Sequence, residues 1–84
     1  MKYTVIFKPS VTKQIRRFSK KEQIKIITVV ENLAADPRPH GYKKLVDQEG
    51  LFRVRVGNYR IIYEIHDKVL QVIVLRVADR REAY

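Results

Sequence analysis

Leu51–Tyr84, LFRVRVGNYRIIYEIHDKVLQVIVLRVADRREAY, is the stretch of sequence that decides the fold. It contains three runs rich in β-branched and aromatic residues, and Gly57-Asn58 between the first two is typical of a two-residue hairpin loop. Such a loop places Arg55 directly opposite Arg60 on the paired strands. We therefore predict a three-stranded antiparallel meander.

Arginine is concentrated in this meander, which holds six of the nine arginines of the chain. Directly opposed residues of an antiparallel pair lie about 5 Å apart at Cβ, where like charges destabilise the pair. Arg53 shares a face with Arg55 by strand alternation. A patch that combines Arg53, Arg55 and Arg60 is typical of an anion-binding surface, and a solvated sheet face is the alternative.

Composition limits the class of protein. The 84 residues predict a single domain spanning 1–84, and a net charge of +9 with a pI near 10.1 favours a polyanionic partner such as nucleic acid or an acidic protein. The absence of cysteine is natural in a reducing compartment. The first apolar run breaks at Lys8, too soon for a signal peptide or membrane span. We expect a cytoplasmic protein without membrane contact.

The first half of the chain predicts one strand and two helices. Alternation indicates a strand over residues 2–8, and an apolar stripe indicates a helix from an N-cap at Ser10 to Phe18. The capping-box pattern of Ser19–Glu22 begins a second helix, which ends at Ala34 or Ala35 before Asp36-Pro37. The exposed side of the first helix and the start of the second form a basic ridge, for which a solvated helix face is the alternative to phosphate contact. The basic ridge comprises Lys13, Arg16, Arg17, Lys20 and Lys21.

The predicted order β-α-α-β-β-β gives an α+β fold, with a helical hairpin packed on one face of a four-stranded, mostly antiparallel sheet. The final strand, predicted over Val69–Val77, is apolar on both faces. A two-residue loop after His66 would place Arg76 on the face away from Arg60, whereas a three-residue loop or a β-bulge would place them together. We favour the second arrangement because it exposes Arg76, and we expect it to bury Ile73, Leu75 and Val77.

Three segments resemble the RelE/ParE toxin superfamily, and the resemblance covers essentially the whole chain. The segments are Lys44-Leu45, the run FRVRVGNYRIIY over residues 52–63, and the closing VADRREAY over residues 77–84. The resemblance implies a RelE-like toxin of a type II toxin-antitoxin pair. It would be a metal-independent endoribonuclease that enters the ribosomal A site and cleaves mRNA there.

The resemblance also implies roles for particular residues. Arg60 and Arg80 match arginines that contact the scissile phosphate, and Tyr84 matches a tyrosine that stacks on or positions the mRNA. The basic pair of the second strand of the family falls on Arg53 and Arg55. We expect Arg55, Arg60, Arg80 and Tyr84 to be catalytic. Further RNA contacts are expected from Lys44, Arg53, Arg76, Arg81 and the basic ridge.

The sequence departs from the well-characterised members of the superfamily, in which the second-strand pair is often lysine. Arginine remains protonated near pH 7, so it can grip phosphate but cannot act as a general base. The group that accepts the proton of the 2′-hydroxyl therefore stays open among Tyr84, Glu82, Glu64 and His66. His40 and His66 have no further ligands at metal-binding spacing, and we expect neither a metal nor a cofactor.

Two other functions are compatible with the sequence. One is a ParE-like toxin that inhibits DNA gyrase and cleaves nothing, and the other is a nucleic-acid-binding protein without chemistry. For the toxin, the expected partners are the ribosome, mRNA and an acidic RelB-like antitoxin whose segment covers the arginine face.

Overall fold

The structure is a computed structural model that describes residues 2–46 and 48–79. Along the chain, the elements are β1 (Thr4–Phe7), α1 (Pro9–Arg16), α2 (Lys20–Ala35), β2 (Lys43–Lys44), β3 (Leu51–Val56), β4 (Tyr59–His66) and β5 (Gln71–Asp79). The strands form one sheet in the order β1-β5-β4-β3-β2. The β1–β5 pair is parallel, and the other three pairs are antiparallel.

This architecture confirms the predicted α+β class, but the predicted four strands were one too few. The additional strand is β2, which has only two residues and is therefore too short to show a period-2 pattern. It pairs with β3 at the edge of the sheet, with Lys43 opposite Arg53 and Lys44 opposite Phe52. The first strand is also shorter than the predicted residues 2–8.

The hairpin between β3 and β4 has the predicted register, with Arg55 directly opposite Arg60. Gly57 occupies the loop with a φ of +57°, a left-handed conformation that glycine adopts at little cost. The arginine pair is therefore fixed by the loop chemistry of the sequence itself.

The pairing of β4 with β5 contains a β-bulge, which is one of the two arrangements that the sequence favoured for the final strand. Ile62 lies opposite Arg76, whereas the next residue, Tyr63, lies opposite Val74, so that β5 carries one extra residue at Leu75. Since directly paired residues share a face, the bulge places Arg76 on the same face as Arg60. The predicted strand bounds were wrong, because four residues, 67–70, connect β4 to β5.

The predicted burial of Ile73 and Leu75 was also wrong. The bulge changes which residues of β5 point toward the helices, and Val72, Val74 and Val77 are buried there. Ile73 and Leu75 remain partly exposed. Only Val77 of the three predicted residues is therefore in the core.

The core lies between the helical layer and one face of the sheet. Val11 and Ile15 of α1, with Ile26, Val30 and Leu33 of α2, pack against the residues of β3, β4 and β5 that point toward them. The sheet contributes Phe52, Val54, Val56, Ile61, Tyr63, Val72, Val74 and Val77. The opposite face of the sheet, here called the open face, carries no helix among residues 2–46 and 48–79.

Helix α1 begins two residues earlier than predicted. Lys8 is the N-cap and Pro9 is the first helical residue, a position that proline suits because its missing N–H would have no partner there. The prediction of Ser10 as N-cap was wrong for this reason, and the helix ends at Arg16 rather than Phe18.

Gln14 of α1 extends the sheet by means of its side chain. Strand β1 pairs with β5 only as far as Val74, so among residues 2–46 and 48–79 the edge of β5 beyond that point has no strand neighbour on this side. The Gln14 amide fills the gap, because its Nε2 donates to the carbonyl oxygen of Val77 and its Oε1 accepts from the N–H of Val77 (3.3 Å). The side chain thus satisfies both main-chain groups of a buried residue.

Helix α2 has the predicted capping box. The Ser19 Oγ accepts from the N–H of Glu22 (3.2 Å), and Oε1 of Glu22 accepts from the N–H of Ser19 (3.2 Å). The other carboxylate oxygen of Glu22 accepts a hydrogen bond from the hydroxyl of Tyr59 (2.6 Å), whose ring stacks on Phe18. The start of α2 is therefore tied to the first residue of β4.

We expect Ser19→Ala to lower the free energy of unfolding by about 1 kcal/mol, because the substitution leaves the N–H of Glu22 without its cap. Chemical denaturation at pH 7 measures this change. Ser10→Ala is the matched control, since Ser10 does not cap α1, and it should leave stability within about 0.5 kcal/mol of the starting protein. Equal losses in both variants would contradict the capping role of Ser19.

Candidate nucleic-acid interface

The open face contains a cationic groove between the β2 edge and the centre of the sheet. Its volume is about 320 Å³, and its lining residues are Gly41, Lys43, Arg53, Arg55 and Arg60. Four of these five residues carry a positive charge, and none carries a negative charge. The groove is thus suited to an anion.

Strand geometry brings the four cations together. Arg53 and Arg55 lie two residues apart on β3 and point to the same face. Lys43 lies opposite Arg53 on one side, and Arg60 lies opposite Arg55 on the other. Three neighbouring strands thus each supply positive charge to one groove.

Arg60 is the buried member of this groove, with 5% of its surface exposed. It lies on a strand with neighbours on both sides, opposite Arg55 of β3 and the fully buried Ala78 of β5. The sequence predicted an exposed position on the open face; the face is correct, but the side chain is covered. Because a guanidinium group does not lose its proton in proteins, Arg60 places a permanent charge at the floor of the groove.

Sequence reasoning missed Lys43 as a groove residue and selected its neighbour Lys44. Alternation decides between them, because Lys44 lies opposite Phe52 and therefore faces the helical side of the sheet. The ring of Tyr42 contacts that of Phe52 on the same side, with centroids 6.0 Å apart. The sequence did contain a signal for Lys43, namely the aromatic ring of Tyr42. If this ring is assigned to the core, strand alternation makes the next residue, Lys43, point to the groove.

Arg76 is exposed on the open face beside the groove. It lies opposite Ile62, so that it is diagonal to Arg60 across the β4–β5 pair, where neighbouring residues are typically about 7–8 Å apart. Its segment of β5 is held by β4 on one side and by the Gln14 amide on the other. The open face therefore carries a fifth cation next to the groove.

Among the residues that the structure describes, no other predicted site residue lines the groove. The basic ridge is exposed on α1 and the start of α2, in the layer on the opposite side of the sheet. Arg80, Arg81, Glu82 and Tyr84 lie outside the residues that the structure describes. The geometry therefore concerns Lys43, Arg53, Arg55, Arg60 and Arg76.

A second polar network fixes the loop that leads to β2. Both guanidinium nitrogens Nη1 and Nη2 of Arg38 donate to the carboxylate of Asp67 (3.2 and 2.8 Å), and the hydroxyl of Tyr3 donates to Oδ1 of Asp67 (2.6 Å). The hydrogen bonds from Arg38 and then Tyr3 lower the pKa of Asp67, while the bond to Asp67 raises the pKa of Tyr3. This network joins the segment after α2 to the β4–β5 turn.

The histidines lie away from the groove. His66, at the end of β4, is 3.0 Å from the carboxylate of Glu64 through its Nε2. Neither His66 nor His40 is among the groove-lining residues. In the described part of the chain, no three His, Cys, Asp or Glu side chains are grouped as metal ligands.

Comparison with known proteins identifies the family. A family profile described as the ParE toxin of type II toxin-antitoxin system, parDE, matches residues 5–84. A comparison with curated proteins gives no significant match. The chain belongs to the ParE toxin family, within the RelE/ParE superfamily that its sequence resembles, and it is a toxin of a type II toxin-antitoxin system.

Solved structures share the fold over nearly the whole chain. The archaeal RelE-RelB complex from Pyrococcus horikoshii contains a chain with 26% identity and a TM-score of 0.86, and the match covers 99% of this chain and all of that one. A chain of the toxin-antitoxin complex RelBE2 from Mycobacterium tuberculosis has 28% identity and a TM-score of 0.83, covering 95% and 100%. The isolated RelE toxin of E. coli, at 19% identity and a TM-score of 0.78, covers 92% and 83% and shares the fold.

The described helices do not resemble membrane spans. Neither α1 nor α2 is long and apolar enough to cross a bilayer.

Proposed function

We propose that this toxin is a RelE-like, ribosome-dependent endoribonuclease that cleaves mRNA in the ribosomal A site. The observation that carries the proposal is the groove lined by Lys43, Arg53, Arg55 and Arg60. Its volume of about 320 Å³ is in the range of small-ligand sites and suits one nucleotide unit of an extended strand. The solved structures of similar fold include chains that are described as RelE toxins, which supports a RelE-like function.

The proposed chemistry is attack of the 2′-oxygen on the adjacent phosphorus, with loss of the 5′-oxygen. Negative charge grows on the phosphoryl oxygens in the transition state, and fixed cations around these oxygens lower its free energy. Arg55 and Arg60 face this position from two strands, and guanidinium groups bind phosphate oxygens through two parallel hydrogen bonds. By resemblance, Arg80 would contact the scissile phosphate, and Tyr84 would stack on or position the mRNA.

An acidic antitoxin is the proposed regulatory partner. The chain carries a net charge of +9, and a large share of its arginine lies on the open face. A segment rich in Asp and Glu that covers this face would neutralise the groove and exclude RNA. The solved complexes named RelE-RelB and RelBE2 pair toxins of this fold with antitoxins. The basic ridge, on the other layer, would contact the backbone of ribosomal RNA.

The test is a translation extract supplied with purified toxin, with the ends of the message mapped. We expect truncation within the reading frame, dependent on the ribosome and suppressed by a stoichiometric antitoxin. Intact message at doses that stop protein synthesis would overturn the proposal.

The ParE profile favours a second candidate, a toxin that inhibits DNA gyrase without cleaving nucleic acid. A supercoiling assay with the same preparation separates the two functions. Inhibited supercoiling with intact message would establish this candidate instead. Binding to RNA with neither effect, and with an affinity that falls with salt at a slope near 0.7 per neutralised phosphate, would indicate a binding protein alone.

A further inference from the structure

Among the described groove-lining residues, Lys43 is the one lysine, and the other three cations are arginines. Arg53, Arg55 and Arg60 hold their charge permanently, because guanidinium groups do not deprotonate in proteins. A lysine ammonium carries three N–H donors and can exist with or without its proton. The groove therefore contains three fixed charges and one transferable proton.

The backbone holds Lys43 in place. Tyr42 on one side of it has its N–H bonded to the carbonyl of Pro39 (3.0 Å), and Leu45 on the other has its N–H bonded to the carbonyl of Leu51 (3.0 Å). With Tyr42 packed on Phe52, the main chain at Lys43 is fixed on both sides. Gly41 lines the groove next to it and has no side chain to obstruct an RNA strand.

Lys43 lies beside the Arg55–Arg60 pair, at a separation that long side chains can span. Arg55 and Arg60 lie directly opposite each other, and Lys43 is displaced from this pair by one strand and two residues. At about 4.8 Å between strands and 3.3 Å per residue, the Cα of Lys43 is about 8 Å from that of Arg55 and about 12 Å from that of Arg60. Long side chains from these positions can meet at different oxygens of one phosphodiester.

We propose that Lys43 is the general acid of the reaction, donating a proton from its ammonium group to the 5′-oxygen as that oxygen leaves phosphorus. This inference rests on the proposed ribonuclease function and deepens it. The 2′-hydroxyl gives its proton to a general base, which later releases it to solvent, and the O2′–P bond forms while the P–O5′ bond breaks. The Lys43 proton passes to O5′, and the neutral amine regains a proton from solvent. The products are a 2′,3′-cyclic phosphate and a 5′-hydroxyl.

The first variant is Lys43→Arg, which keeps the charge and removes the readily transferred proton. The substrate is a ribosome programmed with a short mRNA, prepared with oxygen or with sulfur as the 5′-bridging atom at the cleavage position. Sulfur leaves without protonation. We expect K43R to cleave the oxygen substrate at least about 100-fold more slowly than the starting protein, as is typical for loss of a general acid, and to cleave the sulfur substrate at a similar rate.

Lys68→Arg is the matched control, because Lys68 lies in the exposed β4–β5 turn, away from the groove-lining residues. It should leave both rates unchanged. Equal losses of K43R on both substrates would show that Lys43 acts as a charge or as a positioning residue, and would overturn the proposal. Unchanged cleavage of the oxygen substrate by K43R would overturn it as well.

Chemical rescue gives an independent measurement, because the sequence contains no cysteine that would compete for the reagent. K43C treated with 2-bromoethylamine regains a primary amine, whereas treatment with its trimethylammonium analogue gives a fixed cation without a proton. We expect only the first reagent to restore cleavage of the oxygen substrate. Equal restoration by both reagents would contradict proton donation.

These experiments distinguish failure of the proposed ribonuclease function from failure of the Lys43 assignment. If ribonuclease activity is absent, the starting protein leaves both substrates intact, whatever residue occupies position 43. If the activity is present and only the assignment of Lys43 is wrong, the starting protein cleaves both substrates, and K43R either matches it or loses the same factor on both. The two failures are therefore separated by the starting protein alone.

Discussion

Arg55→Ala is expected to reduce mRNA cleavage in a translation extract at least about 100-fold while leaving the folded protein equally stable or slightly more stable. Arg55 is exposed, so its removal creates no cavity in the core. It lies directly opposite Arg60, and relief of a like-charge pair in this geometry is worth about 0.2–1 kcal/mol. Loss of activity without loss of stability is the signature of a residue retained for binding.

Two measurements check this prediction: mapped message ends in the extract, and chemical denaturation of the purified variant. Lys68→Ala is a suitable control, because it removes the same charge from the exposed β4–β5 turn, away from the groove-lining residues. Lys68→Ala should keep its activity within about twofold of the starting protein. If Arg55→Ala cleaved message as well as this control, the groove would have no role in the reaction.

Local signals in the sequence predicted the parts of the fold that depend on neighbouring residues. Gly57-Asn58 determined the hairpin register and so the Arg55–Arg60 pair. Ser19 and Glu22 determined the start of α2. In both cases a few adjacent side chains and their hydrogen bonds determine the conformation, so their pattern is readable without the rest of the molecule.

Features that depend on contacts between distant parts of the chain could not be predicted from local sequence patterns. Strand β2 exists because the edge of β3 offers hydrogen-bond partners to a two-residue segment. The register of this pairing determines that Lys43, and not Lys44, faces the groove. The amide of Gln14 meets Val77, which lies 63 residues away in sequence. The burial of Arg60 follows from strands on both sides of β4, an arrangement that no local pattern records.

The candidate site was partly predictable for the same reason. Arg53, Arg55 and Arg60 follow from one hairpin and strand alternation, and the structure places all three in one groove. The face of Arg76 required the bulge at Leu75, for which the sequence offered alternatives. Arg80, Arg81 and Tyr84 lie outside the described residues, so their roles stay predictions from the resemblance.

Tyr63 is a buried polar anchor on the helical side of the sheet. Its side chain is fully buried, and its hydroxyl donates to the carbonyl of Pro37 (2.8 Å), the residue that follows the cap of α2. We expect Tyr63→Phe to lower the free energy of unfolding by about 1–3 kcal/mol, because the carbonyl of Pro37 loses its partner. Chemical denaturation at pH 7 measures the loss, and Tyr42→Phe, in which the altered ring packs against the edge of the same core, is the control.

The pH dependence of stability provides a second measurement of the same anchor. Burial raises the pKa of Tyr63 to about 12, against an ordinary value of 10.0 in the unfolded chain. Between these two values the unfolded chain releases the Tyr63 proton while the folded protein keeps it, so that the contribution is complete below pH 10 and is lost as the pH rises toward 12. The stability difference between the starting protein and Tyr63→Phe should therefore shrink over this window by about 2 kcal/mol. A difference that stays constant from pH 9 to pH 12 would mean that the hydroxyl is open to water and does not anchor the loop after α2.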